Sequence, residues 1–369
     1  MKFSCEKNLL VSAISVASRT VAMKSAIPAL EGIYIRAGVK VMLSGYNLET
    51  GITVGVDAEI RETGEAIFPS RLFFDIVRKL PDDTVEVSVD ENFKVSIRGG
   101  ISSFSITAMS AEDYPELPDV ESEKGVVLPQ KQLKEMISGT IFAVSENQAR
   151  PIHTGCLFEV ADDGITVIAV DGYRLALRRW TPEGGVGRQM KFVAPAAALK
   201  EVEKILTDSD DDCTFYLGTK HILFTIGEAT LVCRILEGEF LDWRRVLPEN
   251  NPIKLAANVS AITDSIERVS LVISEKLKSP VRCVIGEDTV KLFCTTTMGR
   301  ATDQISAEIS GDQLEIGFNN KYLLDALRAA ETDEVRLQLG GPISPMLVLP
   351  KEGDAFSFLV LPVRLRSEM

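Results

Sequence analysis

Two hydrophobic periods alternate along the chain. Six segments repeat apolar residues at spacings of three and four, which predicts amphipathic helices. Between these segments apolar and polar residues alternate, which predicts short antiparallel strands. The predicted helices cover residues 6–18, 71–80, 130–139, 196–206, 259–270 and 320–330.

The predicted strands are joined by short turns. Val85, Val87 and Val89 alternate with polar residues, and an Asp-Glu-Asn turn signal follows at 90–92. A second alternating run ends at Gly99 and Gly100. Glycine and acidic residues at such positions are typical of tight hairpins. Each predicted unit is therefore one helix followed by about three strands, with one strand before the helix.

The six units form three longer repeats. Helices at equivalent positions recur with a period of about 125 residues, which is an internal repeat. Linkers rich in proline and acidic residues occur at 115–124 and 248–252. We predict three α+β domains, 1–121, 122–248 and 249–369, each with two helices packed on antiparallel sheets.

Composition narrows the class of protein. The 369 residues are 45% hydrophobic, which excludes a mostly disordered chain, and the apolar runs are too short for a membrane-spanning helix. None of the six cysteines forms a Cys-x-x-Cys pair, and the N-terminus does not resemble a signal peptide. We expect a cytoplasmic protein with free, buried thiols, no cofactor and no membrane partner.

Charge is distributed unevenly. The chain carries a net charge of −13, yet its predicted helices contain eleven basic and eight acidic side chains. One interpretation is that each helix simply has a solvated face; the other is a weakly basic helical surface on an acidic body. Packed helices lie about 8–10 Å apart, so twelve in a circle would leave a hole of roughly 25 Å, enough for duplex DNA, whereas six would not. A closed ring would therefore need two chains, although an open solenoid would show the same period.

Short motifs in a fixed order give a resemblance that covers the whole chain. The start Met1-Lys2-Phe3, residues 71–76 and 104–106, and the end 361–365 all take part. The more specific stretches are Asp171-Gly172-Tyr173-Arg174-Leu175-Ala176, Asp242-Trp243-Arg244-Arg245-Val246-Leu247-Pro248 and Gly317-Phe318-Asn319 with Tyr322-Leu323. The chain resembles the bacterial sliding clamps, the beta subunits of DNA polymerase III. Trp243 and His153 stand where that family usually has a tyrosine and an apolar residue.

The resemblance implies a function. Two chains would join head to tail into a ring whose helices line a central channel around duplex DNA, without reading its sequence. The ring would act as a processivity factor that tethers the replicative polymerase. It would also bind the clamp loader and other replication and repair proteins that carry the same peptide motif. Few phosphate contacts suit such a protein, because each one adds to a salt-dependent affinity that would slow sliding.

The resemblance also assigns residues to three sites. A pocket between the second and third domains would bind peptides that contain a glutamine and spaced apolar residues. Its residues would be Val170, Gly172, Tyr173, Arg174, Leu175, Leu241, Arg245, Val246, Leu277, Asn319, Tyr322, Ile343, Pro345, Val360, Leu361, Pro362, Val363 and Arg364. The DNA contacts would be Lys24, Arg71, Asn147, Gln148 and Arg150. The dimer interface would use Phe104, Ile106, Leu271 and Val272.

Two other classes of protein are alternatives to the clamp. An enzyme is disfavoured, because His153 and His221 lie in different units and no phosphate-binding loop or nucleophile motif occurs. The acidic residues at 208–212 are more typical of a solvated turn than of a metal site, and Asp171 beside Arg174 more typical of a structural ion pair. A repeat adaptor that binds only proteins remains open, since the residues alone do not distinguish it from a ring.

Overall fold

The computed structural model describes residues 1–120, 125–274 and 279–365. Within these ranges all six predicted helices are confirmed, with boundaries shifted by no more than two residues. The helices are α1 (Lys7–Ala17), α2 (Ser70–Lys79), α3 (Gln130–Ile141), α4 (Ala196–Ile205), α5 (Val259–Ser270) and α6 (Asn320–Arg328).

The strands follow the predicted order of one strand, one helix and three strands. In the first repeat they are β1 (Lys2–Glu6), β2 (Gly32–Ala37), β3 (Val41–Tyr46), β4 (Thr50–Val56), β5 (Glu59–Glu62), β6 (Gly64–Pro69), β7 (Thr84–Val89), β8 (Lys94–Gly99) and β9 (Ser102–Thr107). In the second they are β10 (Val126–Pro129), β11 (Gly155–Ala161), β12 (Gly164–Val170), β13 (Arg174–Trp180), β14 (Met190–Pro195), β15 (Asp212–Leu217), β16 (His221–Ile226) and β17 (Ala229–Arg234). In the third they are β18 (Ile253–Asn258), β19 (Val281–Ile285), β20 (Thr289–Thr296), β21 (Gly299–Ser306), β22 (Glu308–Ser310), β23 (Leu314–Phe318), β24 (Glu334–Leu339), β25 (Met346–Pro350) and β26 (Phe356–Val360). The short strands β5 and β22 are additions to the predicted pattern.

The chain forms two compact units. The first consists of residues 1–134 and 197–235, and the second of residues 135–196 and 236–369 as far as they are described. The first unit holds the sheets β5-β1-β7-β8-β9 and β10-β15-β16-β17-β4-β3-β2-β6. The second holds β14-β11-β12-β13-β26-β25-β24-β18-β22 and β21-β20-β19-β23.

The longest sheet of each unit is shared by two repeats. In the first unit β17 pairs antiparallel with β4, from Ala229 opposite Val54 to Cys233 opposite Thr50. In the second unit β13 pairs antiparallel with β26, from Arg174 opposite Val360 to Arg178 opposite Phe356. At each junction the third strand after the first helix of one repeat therefore pairs with the last strand of the next repeat.

A connector between repeats packs against each longest sheet. The first connector, residues 108–120, stacks Tyr114 on Tyr34 with ring centroids 5.0 Å apart. The second connector, residues 235–252, pairs Leu236 with Val193 and buries Phe240 and Trp243 against the sheet. These aromatic side chains bury large apolar areas, so each connector belongs to the core of its unit.

The interior is apolar and contains all the thiols. The six cysteines are buried and unpaired, and burial raises the pKa of Cys156 and Cys283 to about 12. These thiols therefore remain protonated and unreactive at neutral pH. Among the described residues, no group of side chains is arranged to hold a metal ion. The described helices are too short or too polar to cross a membrane.

Candidate functional site

The turn between β12 and β13 presents an exposed tyrosine. Asp171 Oδ1 accepts hydrogen bonds from the backbone N–H groups of Tyr173 at 2.8 Å and Arg174 at 3.0 Å. Gly172 has φ 92° inside this turn, a value that disfavours side chains. The turn leaves the Tyr173 side chain 62% exposed. The hydrogen bonds to Asp171 therefore hold the turn in a conformation that exposes the Tyr173 ring to solvent.

Arg174 links this turn to helix α6. Its Nε donates to Asp171 Oδ2 at 2.9 Å, and a terminal nitrogen donates to Asp325 Oδ2 at 2.5 Å. Its guanidinium also lies 4.5 Å from the centre of the Tyr322 ring. Arg174 is buried, so these interactions are shielded from solvent and hold α6 against β13. The expected ion pair between Asp171 and Arg174 is present.

The start of α6 carries the other half of an aromatic pair. Asn319 caps the helix by accepting a hydrogen bond from the N–H of Lys321 at 3.0 Å. The cap places Tyr322 in the first turn, where its ring stacks on Tyr173 at 6.1 Å between centroids. Phe318 points into the core. The Gly-Phe-Asn-x-x-Tyr-Leu motif therefore combines a core anchor, a helix cap and a surface ring.

The segment after β26 lies alongside the aromatic pair. The N–H of Leu361 donates to the carbonyl of Tyr173 at 2.9 Å, and the N–H of Val363 donates to the carbonyl of Gly317 at 2.8 Å. Leu361 is 36% and Val363 37% exposed. Together with Tyr173, these side chains form an apolar surface whose backbone is held by hydrogen bonds.

Several residues assigned to the pocket are buried beneath its exposed side chains. Val170, Leu175 and Val360 are fully or almost fully buried, so their side chains belong to the core and do not present a surface. Val170 and Leu175 pack in one cluster with Phe240 and Trp243 of the second connector. These three side chains therefore lie beneath the exposed surface, and their place in the peptide pocket stays a prediction.

The second connector carries three further residues assigned to the pocket. Leu241 is exposed, Val246 is half-buried, and Arg245 is exposed and paired with Asp242 at 3.0 Å. Trp243 Nε1 donates to Glu159 at 3.2 Å, and Arg244 also donates to Glu159, at 2.9 Å.

Glu159 fixes the connector electrostatically. Burial alone would raise the pKa of the Glu159 carboxyl, but hydrogen bonds from Lys191, Arg244 and Trp243 together lower it below its ordinary value. The carboxylate is therefore ionised at neutral pH and anchors the connector to β11. Trp243, the departure from the usual tyrosine, supplies one of these bonds.

His153 lies next to the same cluster. Its ring meets the Phe240 ring edge to face, with 5.4 Å between centroids. Burial, and to a smaller degree the nearby charge of Arg150, lowers the pKa of His153. The imidazole is therefore mostly neutral at pH 7 and takes the place of an apolar side chain without adding a charge.

The remaining residues assigned to the pocket differ in how exposed they are to solvent. Gly172, Ile343 and Arg364 are exposed, and Pro345 and Pro362 are half-buried. Leu277 lies outside the described residues. Sequence reasoning did not assign Asp325, Gly317 or Leu365 to the pocket, although Gly317 and Leu365 belong to motifs of the resemblance. No spacing signal identifies them, because each interacts with a residue far away in the chain.

The residues assigned to DNA are all exposed. Lys24 and Arg71 belong to the first unit, and Arg71 is in the first turn of α2. Asn147, Gln148 and Arg150 belong to a loop of the second unit, in which Asn147 Oδ1 accepts from the N–H of Ala149 at 3.0 Å. Each of these side chains is therefore accessible to a phosphate group.

The residues assigned to the dimer interface lie at or near unpaired sheet edges. Phe104 and Ile106 are on β9, the last strand of its sheet, and Phe104 is 41% exposed. Leu271, directly after α5, is 85% exposed. The carbonyl of Val272 accepts a hydrogen bond from Thr296 at the end of β20, next to the edge strand β21. Exposed edges with apolar side chains are typical of surfaces that pair with another chain.

Comparison with known proteins identifies this architecture. Family models for the N-terminal, central and C-terminal domains of the DNA polymerase III beta subunit match residues 1–118, 127–242 and 244–364. The beta sliding clamps of Staphylococcus epidermidis and Staphylococcus aureus are each 32% identical over 375 residues, covering 99% of both chains. The crystal structure of the sliding clamp from Bacillus subtilis superimposes with a TM-score of 0.95 at 29% identity, over 99% of this chain and all of that one. The beta subunit of Streptococcus pyogenes gives the same TM-score at 26% identity, again over 99% of this chain and all of that one.

The fold and these matches define a repeat protein of DNA replication. The chain belongs to the family of bacterial beta sliding clamps, the beta subunits of DNA polymerase III. It is a DNA polymerase processivity factor, as the sequence resemblance predicted. The role of this non-catalytic family is to encircle DNA as a homodimer and to bind the polymerase and the clamp loader.

Proposed function

We propose that two copies of this chain close into a ring by repeating the strand pairing found at their internal junctions. The observation that carries this proposal is the pairing rule itself: β4 pairs with the last strand of the second repeat, and β13 with the last strand of the third. In the third repeat, the third strand after the first helix is β21. By the same rule β21 would pair with β9, the last strand of a first repeat. Both are edge strands within their own sheets. A second copy would pair both edges and leave neither exposed.

The assigned interface residues suit this pairing. Phe104 and Ile106 lie on β9, and Leu271 and Val272 lie close to β21. Their exposed apolar area would be removed from water by the partner copy, which favours association by about 25 cal/mol per Å². In this arrangement the interface is head to tail, and the ring contains twelve helices.

The peptide site is the second part of the proposal. The surface formed by Tyr173, Tyr322, Leu241, Leu361 and Val363 offers apolar side chains beside backbone groups that are already fixed. An extended peptide with spaced apolar residues and a glutamine matches such a surface, because few of the site's atoms need to be ordered on binding. Polymerase, clamp loader and other clients would bind here in turn. Arg174 holds the two sides of the site together.

DNA contact is expected to be weak and without sequence preference. The exposed side chains that would meet phosphates are Lys24, Arg71, Asn147, Gln148 and Arg150. Retention on DNA would then come from topology and not from affinity. We further propose that the protein acts in the cytoplasm, has no enzymatic activity of its own, and consists of domains 1–121, 122–248 and 249–369.

Solution mass and DNA topology test the ring. Light scattering at micromolar concentration should give twice the 40.4 kDa of one chain. After loading, the protein should remain on nicked circular DNA through gel filtration and leave when the circle is cut by a restriction enzyme. An adaptor that binds proteins alone would not respond to linearisation, and a stable monomer would contradict the closed ring.

A further inference from the structure

Two motifs of the family resemblance meet in the second unit. Gly317 lies on β23, the edge strand of its sheet, and forms an isolated antiparallel bridge with Val363. The same segment is held at its other end by the hydrogen bond from Leu361 to the carbonyl of Tyr173. Residues 361–365 are therefore attached at two points, on either side of the exposed side chain of Leu361.

The absence of a side chain at position 317 makes room for Leu365. A Cβ at Gly317 would lie 2.5 Å from Leu365 Cδ2 and 3.3 Å from the carbonyl oxygen of Val363. The first distance is shorter than real Cβ contacts allow. Gly317 does not have the positive φ that by itself favours glycine. A side chain at position 317 would therefore have to displace the end of the Leu365 side chain, which is the group that approaches most closely.

We propose that Gly317 and Leu365 form an anchor that positions the C-terminal wall of the peptide pocket. Leu365 fills the space over Gly317, which holds the Val363 N–H in its hydrogen bond and thereby sets the position of Leu361. Gly317 and Leu365 are positioning residues, since neither is part of the exposed aromatic surface. The inference rests on the proposed peptide site and adds the device that fixes one of its sides.

The test uses three variants of the full chain. Gly317→Ala places a methyl group where the end of the Leu365 side chain lies, Leu365→Ala removes the anchoring side chain without a clash, and the third combines both substitutions. Gly38→Ala is the matched control, because Gly38 has open space around its Cβ position and no positive φ. The probe is a fluorescein-labelled synthetic peptide with one glutamine and three spaced apolar residues, followed by fluorescence anisotropy.

The expected loss of affinity is about fivefold to tenfold for each single variant, with no loss for Gly38→Ala. The two single effects should not add in the double variant, because both release the same segment. Hydrogen exchange should report the release directly: the Val363 amide should exchange faster in both variants, while amides of β26 keep their protection. Solution mass and melting temperature should stay close to those of the wild type.

The outcomes separate the two proposals. If the wild-type chain fails to bind the probe, the peptide site is wrong, and the anchor loses its role with it. If the wild type binds and both single variants bind equally well, the site stands and the anchor is overturned. Unchanged exchange at Val363 in Leu365→Ala would also overturn it, even if affinity fell.

Discussion

The two junctions between repeats share a backbone arrangement and differ in their side chains. At the first junction Asn47 Oδ1 accepts from the N–H groups of Glu49 and Thr50, and at the second Asp171 does the same for Tyr173 and Arg174. The residue after each acceptor has positive φ, 73° at Leu48 and 92° at Gly172. At the first junction the N–H of Arg234, the last residue of β17, donates to the carbonyl of Glu49. At the second, the N–H of Leu361, directly after β26, donates to the carbonyl of Tyr173.

The side chains give the junctions different properties. Where the second junction has Arg174 with two carboxylates, the first has Thr50, and the next residue, Gly51, is covered by Leu117 of the first connector. Where the second has the exposed Tyr173 stacked on the half-buried Tyr322, the first has Glu49. The same backbone arrangement therefore connects repeats at both junctions, but only the second junction has the aromatic and charged side chains of the proposed peptide site.

Arg174→Ala should give the largest effect and separate the junctions most clearly. It leaves Asp171 and Asp325 without their shared cation in a partly buried site, which is expected to destabilise the second unit by about 3 kcal/mol and to weaken probe binding. Thr50→Ala at the first junction keeps the backbone hydrogen bond to Asn47 and removes only buried side-chain atoms, so it should cost about 1 kcal/mol and leave binding unchanged. Calorimetry and anisotropy on both variants measure this difference, and light scattering should show intact dimers. Dissociation of Arg174→Ala into monomers would contradict the assignment of Arg174 to the pocket.

Tyr173→Ala should affect binding and spare stability. The ring is largely exposed, so its loss is expected to weaken the probe peptide about tenfold while the melting temperature changes little. Glu49→Ala is the equivalent change at the first junction and should leave affinity as it is. Equal affinities for the two variants would mean that the aromatic pair is not part of the site.

Glu159→Gln tests whether the charge of Glu159 holds the second connector to β11. The measured quantity is the pH dependence of the free energy of unfolding. Since the pKa of Glu159 is lowered in the folded state, its carboxylate stabilises the protein above the ordinary value of 4.5 and loses that effect as the pH falls through the folded pKa. The variant should be about 1 kcal/mol less stable at pH 7, and the difference should shrink below pH 4.5.

Tyr114→Phe is the counterpart in the first connector. It removes the hydrogen bond from Tyr114 to the carbonyl of Ser44, and its effect should not depend on pH in the acid range. Burial raises the pKa of the Tyr114 phenol, so this group does not titrate there. Parallel pH profiles for the two variants in denaturant titrations would argue against a charged attachment at Glu159.

The smallest effects should come from the turn residues with positive φ. Leu48→Gly should stabilise the first unit by up to about 1 kcal/mol, because leucine is strained at φ 73°. Gly172→Ala should destabilise the second unit by about the same amount, since it adds a side chain at φ 92°. Melting curves with the same sign for both variants would show that the two turns are not equivalent.

The sequence by itself determined the elements, the repeat and the family. The helices and most strands follow from hydrophobic period, which depends on residues a few positions apart, and the resemblance follows from short motifs in a fixed order. The exposure of Tyr173 also follows from the local sequence, because the Asp-Gly pair before it is a turn signal.

Only the tertiary structure decided which of the named residues form a surface. Val170 and Leu175 have the same apolar character as Leu241 and Leu361, yet the first two lie in the core and the last two face solvent. The partners of the pocket, Asp325 for Arg174 and Leu365 for Gly317, lie 151 and 48 residues away along the chain. Such pairings arise from the packing of whole sheets and helices, which no local spacing encodes.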